Sequence, residues 1–275
     1  MKDDIREVKA YYDANSVREW ERFDRHPYEF ELTKRKLNRC IRPGDNVLDI
    51  GGGPGRYSLY FAERGCKVTL LDLSDSNIAL AEEKARESCL SIKTIVGNAL
   101  EAHKLLDETY DHVLLMGPMY HLLDEADRIS AVNSALSLLK TGGTLAVSFI
   151  NMFAGVIFYM TRQPEGLLIP EEQVYIDKVL SGGSFSGDAF TKAYFANQNS
   201  ILPFMEQFHL RKLHLFGQEG ILSPCSYTIM QQTEEVQKAW LDLAEKLSEK
   251  PEYFSYAEHL MYIGRKYEGI DIYEP

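Results

Sequence analysis

The chain has 275 residues, 45% of them apolar and 26% charged, which is enough to bury a sizeable core, either as one α/β domain or as one domain with a smaller cap. Its net charge of −11 disfavours a nucleic-acid partner, because proteins that bind phosphate backbones carry an excess of lysine and arginine. No stretch approaches the roughly 20 apolar residues of a membrane span, and the N-terminus shows no secretory signal, so we expect no membrane contact. The four cysteines form neither a metal-binding nor a disulfide pattern. We therefore expect a cytoplasmic protein without a metal site.

Two helices are predicted at the beginning of the chain, at residues 3–24 and 28–40. Apolar side chains recur three or four positions apart in the first of them, as on one face of a helix. We therefore expect residues 1–42 to form a helical cap on the domain that follows.

Residues 43–150 alternate short apolar strands with amphipathic helices. The strands are predicted at residues 46–50, 67–71, 91–96, 110–116 and 144–149. The helices that follow the first, second and fourth strands are predicted at residues 56–64, 75–87 and 125–139. This alternation predicts right-handed βαβ units and an open, doubly wound, mainly parallel sheet. The ligand site of such an α/β sheet lies at the carboxyl ends of its strands.

The alternation stops after residue 150, and helical and loop signals fill residues 151–195 without a clear βα unit. The later elements are predicted as a helix at 200–207 with Pro203 in its first turn, strands at 209–216 and 258–266, and a helix at 234–248. The apolar side of that last helix is expected to consist of Val236, Trp240, Leu243 and Leu247. The two strands bring the sheet to seven. Residues 151–195 and 220–255 are therefore predicted as lid-like insertions within a domain part that spans 151–275.

The first predicted strand runs into a glycine-rich segment, Gly51-Gly52-Gly53-Pro54-Gly55, which opens a helix. Glycines at such a turn let the backbone approach a ligand without interference from a Cβ atom. The dinucleotide fingerprint GxGxxG/A fits poorly, because its third small residue would be Arg56 or Ser58. The spacing instead fits GxGxG, which favours a nucleoside cofactor other than NAD.

An acidic residue ends the second predicted strand, where Asp72 lies 21 positions after Gly51. A carboxylate at this place accepts hydrogen bonds from the two hydroxyls of a ribose. Because NAD also carries such a ribose, Asp72 indicates an adenosine-type cofactor without choosing between the two classes. A NAD-dependent oxidoreductase therefore stays open as an alternative.

The motifs in this order resemble those of class I S-adenosylmethionine-dependent methyltransferases, over roughly residues 40–150. The matching segments are Asp49–Gly55 for the first motif, Leu71–Ser74 for the second, Asn98-Ala99 beside the adenine, Tyr110–Leu122 for the fourth-strand motif, and Lys140–Leu145 before the fifth strand. The family commonly has an acid where this chain has Asn98. The block Gly117-Pro118-Met119-Tyr120-His121 is similar to one in bacterial methyltransferases of undefined substrate.

The resemblance implies a Rossmann-like methyltransferase fold that binds S-adenosylmethionine. The cofactor-binding residues it implies in the core are Asp49, Gly51, Gly52, Gly53, Gly55, Asp72, Leu73, Asn98, Ala99, Met116 and Gly117. In this family an N-terminal helix often covers the cofactor. Arg22 is therefore the candidate for binding the methionine carboxylate, with Tyr11, Tyr12 and Arg18 as the other candidates on that helix. The alternative for each of these residues is a solvated helix face.

Methyl transfer from a sulfonium is a direct displacement, for which the protein mostly supplies position and desolvation. A general base helps only when the acceptor carries a proton that must leave. His121 is the candidate base, with a purely structural histidine as the alternative. Tyr120 is the candidate lining of the methyl channel, with a packing role as the alternative.

The function expected from the sequence is methyl transfer from S-adenosylmethionine to an unidentified small-molecule acceptor. The net charge and the bulk of the insertions near the carboxyl edge of the sheet favour a small acceptor over a polymer. A non-catalytic protein that binds the same cofactor is a second alternative beside the NAD enzyme. The sequence predicts no oligomeric state.

Overall fold

The computed structural model describes residues 2–267. Within this range nine strands form one sheet: β1 (Asn46–Ile50), β2 (Lys67–Asp72), β3 (Lys93–Val96), β4 (Tyr110–Leu115), β5 (Leu139–Asn151), β6 (Phe185–Asp188), β7 (Lys192–Ala196), β8 (Leu210–Gly217) and β9 (His259–Lys266). The α-helices are α1 (Asp3–Trp20), α2 (Arg22–Arg25), α3 (Pro27–Leu37), α4 (Arg56–Glu63), α5 (Asp75–Glu87), α6 (Ala102–Leu105), α7 (Glu125–Leu138), α8 (Phe153–Arg162), α9 (Gln173–Leu180), α10 (Gln198–Glu206), α11 (Ser226–Met230) and α12 (Glu234–Leu247). None of these helices has the length and apolar character needed to cross a membrane. The predicted domain part 151–275 runs past residue 267, so its end lies outside the described residues.

Seven strands form the predicted sheet, in the order β3-β2-β1-β4-β5-β9-β8. Neighbouring strands from β3 to β5 run parallel, and β9 runs antiparallel to both β5 and β8. The doubly wound, mainly parallel sheet of seven strands is therefore confirmed. Because Ile50 pairs with Leu71 on one side and Leu115 on the other, the ends of β1, β2 and β4 meet at one edge.

Apolar clusters cover both faces of the sheet, as the alternation of side chains along β1 shows. Leu48 and Ile50 pack in one cluster with Val132 of α7. Val47 packs in a second cluster with Phe61 of α4. Successive side chains of a strand point to opposite faces, so a strand that is covered on both sides must be apolar throughout. The central strands are near-continuous apolar runs for this reason.

A β-hairpin in the first insertion is the main departure from the predicted elements. β6 and β7 pair antiparallel, and β7 joins the sheet beside the end of β5, where Ile150 pairs with Phe195. The sequence of residues 151–195 shows no strand signal, because the two strands are four and five residues long and the first contains Gly187. Their apolar side chains pack with Tyr175 in a separate small core.

The prediction of one continuous helix over residues 3–24 is wrong. α1 ends at Trp20, and α2 begins as a separate turn at Arg22. Asn15 inside α1 also has non-helical dihedral angles, with φ −124° and ψ 17°. Phe23 after the break is nevertheless buried, as the helical spacing predicts. The apolar pattern thus continues through the break and conceals it.

Three further predicted boundaries, in α10, β5 and α7, are wrong. α10 begins at Gln198 because the side chain of Asn197 accepts a hydrogen bond from the backbone nitrogen of Asn199 at 2.8 Å. Pro203 therefore lies inside this helix and not in its first turn. β5 begins before its predicted start and α7 ends before its predicted end, because Leu139 already pairs with β4 across an irregularity in register.

The second insertion contains the amphipathic helix α12, but its buried side is not the predicted one. Leu241 and Ala244 face α3 and are buried. The side chains of the predicted side are partly exposed to solvent. The exposed fraction is 39% for Val236, 40% for Trp240 and 42% for Leu243, and Leu247 is half-buried. The orientation is set by ion pairs, since Arg35 of α3 pairs with Asp242 at 2.7 Å and with Glu245 at 2.9 Å.

α1 lies over the carboxyl edge of the sheet and is held from two directions. At the beginning of α5, the hydroxyl of Ser74 donates to Asp13 of α1 at 2.6 Å. At the turn of the β6–β7 hairpin, the ring of Phe190 lies 5.9 Å from the ring of Tyr11. The N-terminal helix and the hairpin therefore contact each other above the ends of the strands.

A buried network of charges joins the beginning of α3 to the beginning of β9. Arg22 donates from its two Nη atoms to the carboxylate of Glu29 at 2.6 and 2.8 Å. His259 donates from Nδ1 to Glu219 at 2.7 Å and lies 3.9 Å from Glu29. Burial alone lowers the pKa of His259, but the carboxylates of Glu29 and Glu219 raise it to about 9. The imidazole is therefore charged at neutral pH, and the network ties the N-terminal cap to the sheet.

Glu29, Glu219 and His259 have ligand atoms within 4.8 Å of one another, close enough to hold a cation. Both oxygens of Glu29 already accept hydrogen bonds from Arg22, which supplies a fixed positive charge. A metal ion would have to displace that guanidinium. We therefore interpret this cluster as an ion network and not as a metal site.

Replacing His259 by glutamine is expected to lower the free energy of unfolding at pH 6 by about 3 kcal/mol. Between pH 6.5 and about 9 the folded chain holds a proton that the unfolded chain has released. In that window the wild-type free energy of unfolding falls by about 1.4 kcal/mol per pH unit because of this group. The stabilisation is complete below pH 6.5 and is lost by about pH 9.

Urea unfolding at several pH values measures this difference, with the exposed His209→Gln as the matched control. The gap between wild type and H259Q should close as the pH approaches 9. A gap that stays constant from pH 6 to pH 9 would show that the imidazolium does not contribute this stability.

Candidate active site

The loop between β1 and α4 has a backbone conformation that favours glycine. Gly51 and Gly53 have φ values of 70° and 59°, in the left-handed region that residues with a side chain rarely adopt. A side chain at Gly51 would clash with Pro118. A Cβ atom at Gly53 would instead point into space, 3.7 Å from Glu19 and 3.9 Å from Asn77. Gly51 is therefore required by packing, whereas Gly53 borders an opening.

Asp72 holds this loop from the end of β2. Its carboxylate accepts hydrogen bonds from the backbone nitrogens of Gly53 at 2.8 Å and Ser74 at 2.9 Å, and from the side-chain amide of Asn77 at 3.2 Å. Burial raises the pKa of Asp72, and these hydrogen bonds oppose the rise. A carboxylate has about four acceptor positions, so one remains for a ligand.

The loop after β4 closes the other side. Gly117 lies against the carbonyl of Gly51 so closely that a side chain at position 117 would clash with it. The backbone nitrogen of Gly51 in turn donates to the carbonyl of Leu71 at 2.6 Å. The loops that follow β1, β2 and β4 are therefore in direct contact.

A cavity of about 130 Å³ lies at this edge, between the glycine loop and the N-terminal helices. It is lined by thirteen residues predicted from the sequence: Tyr12, Arg22, Gly51, Gly52, Gly53, Asp72, Leu73, Asn98, Ala99, Met116, Gly117, Tyr120 and His121. Lining residues that were not predicted include Ile5, Val8, Lys9, Glu19, Tyr57 and Asn77. Ile5 and Val8 recur at helical spacing, a pattern that indicates only an apolar face and not what the face covers.

Two residues predicted to bind the cofactor do not line the cavity. Asp49 is fully buried beneath the loop, where it accepts a hydrogen bond from Ser58 at 2.7 Å. Burial raises the pKa of Asp49 to about 7. Gly55 lies at the beginning of α4 and packs against Leu70 and Ala81. Both residues support the loop from behind.

Asn98 begins a short helical turn after β3. Its side-chain oxygen accepts a hydrogen bond from the backbone nitrogen of Leu100 at 3.1 Å. The second acceptor position of that oxygen and the amide nitrogen remain for a ligand. Asn98 can therefore both accept from an amino group and donate to a ring nitrogen of a base.

His121 and Tyr12 form a pair inside the cavity, 109 positions apart in the chain. Nδ1 of His121 lies 2.9 Å from the backbone carbonyl of Lys192, which can only accept, so Nδ1 carries the proton. Nε2 consequently accepts from the hydroxyl of Tyr12 at 2.7 Å. Burial lowers the pKa of His121 to about 4, so the imidazole is neutral at pH 7.

Tyr120 lines the cavity beside this pair. Its ring centre lies 4.9 Å from that of His121 and 6.2 Å from that of His259. Burial raises the pKa of Tyr120, so its hydroxyl is neutral at physiological pH. Tyr120 is therefore an uncharged wall between the cavity and the buried ion network.

Arg22 reaches the cavity with a side chain that is 24% exposed. Its Nε donates to Glu19 at 3.0 Å, while both Nη atoms donate to Glu29. Of the other candidates on α1, Tyr12 bonds to His121, whereas Tyr11 and Arg18 do not line the cavity. Arg22 is thus the arginine of the cap that lines the cavity, and its binding of the methionine carboxylate stays a prediction.

The sequence has measurable similarity to known proteins over its central part. A family described as a methyltransferase domain matches residues 47–143. A ubiquinone biosynthesis O-methyltransferase of Xanthomonas campestris is 31% identical over 113 residues, which are 41% of this chain and 46% of that protein. A ubiquinone/menaquinone biosynthesis C-methyltransferase of Shewanella sediminis is 34% identical over 116 residues, 38% of this chain and 43% of that protein. The chain thus spans less than half the length of these curated relatives.

Solved structures resemble the chain over nearly its whole length. Magnesium protoporphyrin IX methyltransferase from Synechocystis, crystallised with S-adenosylhomocysteine, matches with a TM-score of 0.59 and 14% identity, over 96% of this chain and 100% of that one. An S-adenosylmethionine-dependent methyltransferase from Clostridium acetobutylicum matches with a TM-score of 0.56 and 12% identity, over 92% and 98%. The chain therefore has the Rossmann-like fold of S-adenosylmethionine-dependent methyltransferases, with a methyltransferase domain match at residues 47–143.

Proposed function

We propose that this chain transfers a methyl group from S-adenosylmethionine to a small-molecule acceptor. The observation that carries the proposal is the cavity at the carboxyl edge, into which Asp72, Arg22 and the backbone of Gly53 converge. A carboxylate suits ribose hydroxyls, a guanidinium suits a carboxylate, and a glycine backbone permits close approach. The methyltransferase domain match and the cofactors named for the solved relatives support the choice of cofactor.

We assign each part of the cofactor to particular residues that line the cavity. Asp72 accepts from one ribose hydroxyl through its remaining acceptor position, Asn98 and Ala99 border the adenine, and Arg22 binds the methionine carboxylate. The remaining cofactor contacts are Gly51, Gly52, Gly53, Leu73, Met116 and Gly117. Asp49 and Gly55 act through the shape of the loop.

When bound, S-adenosylmethionine supplies a methyl group on positively charged sulfur, and an acceptor displaces that sulfur as a neutral thioether. We propose His121 as the base for an acceptor that carries a proton, with Tyr12 as its hydrogen-bond partner. Tyr12 can pass its own proton to Nε2 of His121 as it takes one from the acceptor. Tyr120 lines the path beside this pair.

The neutral, weakly basic imidazole of His121 can take a proton only from a strongly acidic group. Burial holds the pKa of His121 at about 4, which makes it a weak base. A hydroxyl that has gained a methyl group is an oxonium, a strong acid that a weak base deprotonates readily. A methylated amine is an ammonium, which such a base does not deprotonate at neutral pH.

The roof over the cavity supports a small acceptor. The turn of the β6–β7 hairpin contacts the site directly, since the ring of Phe190 lies 5.7 Å from His121 and the carbonyl of Lys192 bonds to it. A polymer would need an open groove in place of this cover. The net charge of −11 argues in the same direction against nucleic acid.

We further propose that the chain is one of the bacterial methyltransferases with a Gly-Pro-x-Tyr-His block, here Gly117 to His121. Its four cysteines are free thiols, which supports a reducing compartment such as the cytoplasm.

Calorimetry is expected to show micromolar binding of S-adenosylmethionine and S-adenosylhomocysteine and no binding of NAD. Asp72→Asn should weaken both adenosyl ligands about tenfold or more, because a charge-assisted hydrogen bond to the ribose is lost. Asp107→Asn, at an exposed loop position, is the control and should bind normally. Binding of NAD alone would replace this proposal with the oxidoreductase.

Gly53→Asn is expected to fold and to lose at least tenfold in affinity for S-adenosylhomocysteine. Asparagine tolerates left-handed φ better than other side chains, and at position 53 it would project into the cavity. Gly142→Asn is the matched control, because Gly142 has φ 81° and no neighbour within 4 Å of an added Cβ. If both variants bind equally well, the cofactor does not lie against Gly53.

Transfer of labelled methyl groups to an extract of cell metabolites is expected for the wild type. His121→Asn should slow turnover by about 10²-fold or more through loss of the base. Tyr12→Phe should slow it by a smaller factor, because Nε2 stays available. Both variants should bind S-adenosylmethionine as the wild type does. Undiminished turnover in H121N would assign His121 a structural role, and a wild type that binds without turnover would be a non-catalytic binding protein.

A further inference from the structure

Glu19 is a carboxylate that lines the cavity and takes no part in the contacts proposed so far. It lies in the last turn of α1, and Glu19 and Asp72 are the acidic side chains among the lining residues. Asp72 receives three hydrogen bonds, from Gly53, Ser74 and Asn77. Glu19 receives one, from Nε of Arg22 to Oε1 at 3.0 Å. Within the described residues, Oε2 of Glu19 receives none. One oxygen of a cavity-lining carboxylate therefore remains available to a donor from a ligand.

Arg22 is held so that two of its N–H groups also remain. A guanidinium has five N–H groups, of which one donates to Glu19 and two donate to Glu29. Glu29 is nearly fully buried and fixes the plane of the guanidinium from behind. Arg22 and Glu19 thus present a fixed cation and an anion side by side to the same cavity.

The charges of Arg22 and Glu19 are complementary to those of an amino acid. The amino-acid end of S-adenosylmethionine carries a carboxylate and an ammonium on the same carbon. A guanidinium matches the first and a carboxylate matches the second, each through a charge-assisted hydrogen bond. The proximity of Glu19 to Gly53, with its Cγ 3.7 Å from an added Cβ, places the pair directly above the glycine loop.

We infer that Glu19 and Arg22 together recognise the zwitterionic amino-acid end of the cofactor, with Glu19 binding the ammonium and Arg22 the carboxylate. The inference rests on the proposed function, since it concerns the same cofactor site. It assigns to Glu19 a specificity for ligands that carry an amine.

The electrostatic environment agrees with this assignment. Burial raises the pKa of Glu19, and Arg22, already shared with Glu29, opposes the rise only in part. An ammonium beside Glu19 would supply the missing positive charge. The break between α1 and α2 has a role in the same arrangement, because it lies between Glu19 and Arg22 and the ion pair spans it.

The inference is tested by calorimetry with three ligands that differ only at the amino-acid end. S-adenosylhomocysteine has both charges, its decarboxylated analogue keeps only the amine, and 5′-methylthioadenosine has neither. Glu19→Gln should weaken S-adenosylhomocysteine and the decarboxylated analogue at least tenfold each and leave 5′-methylthioadenosine within twofold. Arg22→Lys should weaken S-adenosylhomocysteine more than the decarboxylated analogue.

Glu21→Gln is the matched control, because Glu21 lies two positions further along and its side chain is 55% exposed. It should bind all three ligands as the wild type does. Thermal unfolding of each variant establishes that the fold is kept.

Three results would overturn the inference while leaving the proposed function intact. One is normal binding of all ligands by E19Q. Another is an equal loss for 5′-methylthioadenosine, which would place Glu19 against the nucleoside. The third, from a fourth titration with S-adenosylmethionine, is a greater loss by E19Q for S-adenosylmethionine than for S-adenosylhomocysteine, which would place the carboxylate against the sulfonium. A wild type that binds none of the adenosyl ligands would overturn both the inference and the proposed function.

Discussion

The backbone between Gly51 and Gly53 is held on both sides, and the rest of the site depends on this constraint. Asp72 accepts from the nitrogen of Gly53 at 2.8 Å, and Gly117 leaves room for the carbonyl of Gly51. These contacts exist because β1 pairs in parallel with both β2 and β4, which brings the loops after three strands to one edge. Gly51 and Gly117 are therefore required by the contact between these loops before any ligand is considered, whereas Gly53 borders the opening in which we propose that the cofactor binds.

The core could be predicted from the sequence because its signals are local. Apolar runs, the glycine segment and Asp72 lie within a short stretch, and each has a physical meaning that needs no knowledge of distant residues. The cap could not be predicted in the same way. Tyr12 and His121 are 109 positions apart, and nothing in the spacing of either segment indicates that their side chains meet. Glu19 looks like a solvated residue of a helix until the break after Trp20 turns the chain over the cavity.

Where periodicity predicted the wrong detail, a polar interaction had decided the outcome. The apolar side chains of α12 allow more than one buried face, and the ion pairs of Arg35 with Asp242 and Glu245 select the face that carries Leu241 and Ala244. The side chain of Asn197 likewise fixes the start of α10 and thereby moves Pro203 into its interior, against the usual preference of proline. Hydrophobic spacing predicts that an element exists, whereas caps and ion pairs determine where it begins and how it is turned.

The same contacts that close the cavity also set the chemistry of His121. The carbonyl of Lys192 comes from the hairpin and holds the proton on Nδ1, whereas the hydroxyl of Tyr12 comes from α1 and meets Nε2. If either segment moved away, the tautomer of the imidazole would no longer be fixed and water would reach the ring, which would return its pKa toward the ordinary value near 6.5. The imidazole would then be charged for part of the time and unable to accept a proton. The contact between α1 and the hairpin therefore has two consequences. It excludes water from the cavity, and it keeps His121 in its neutral form.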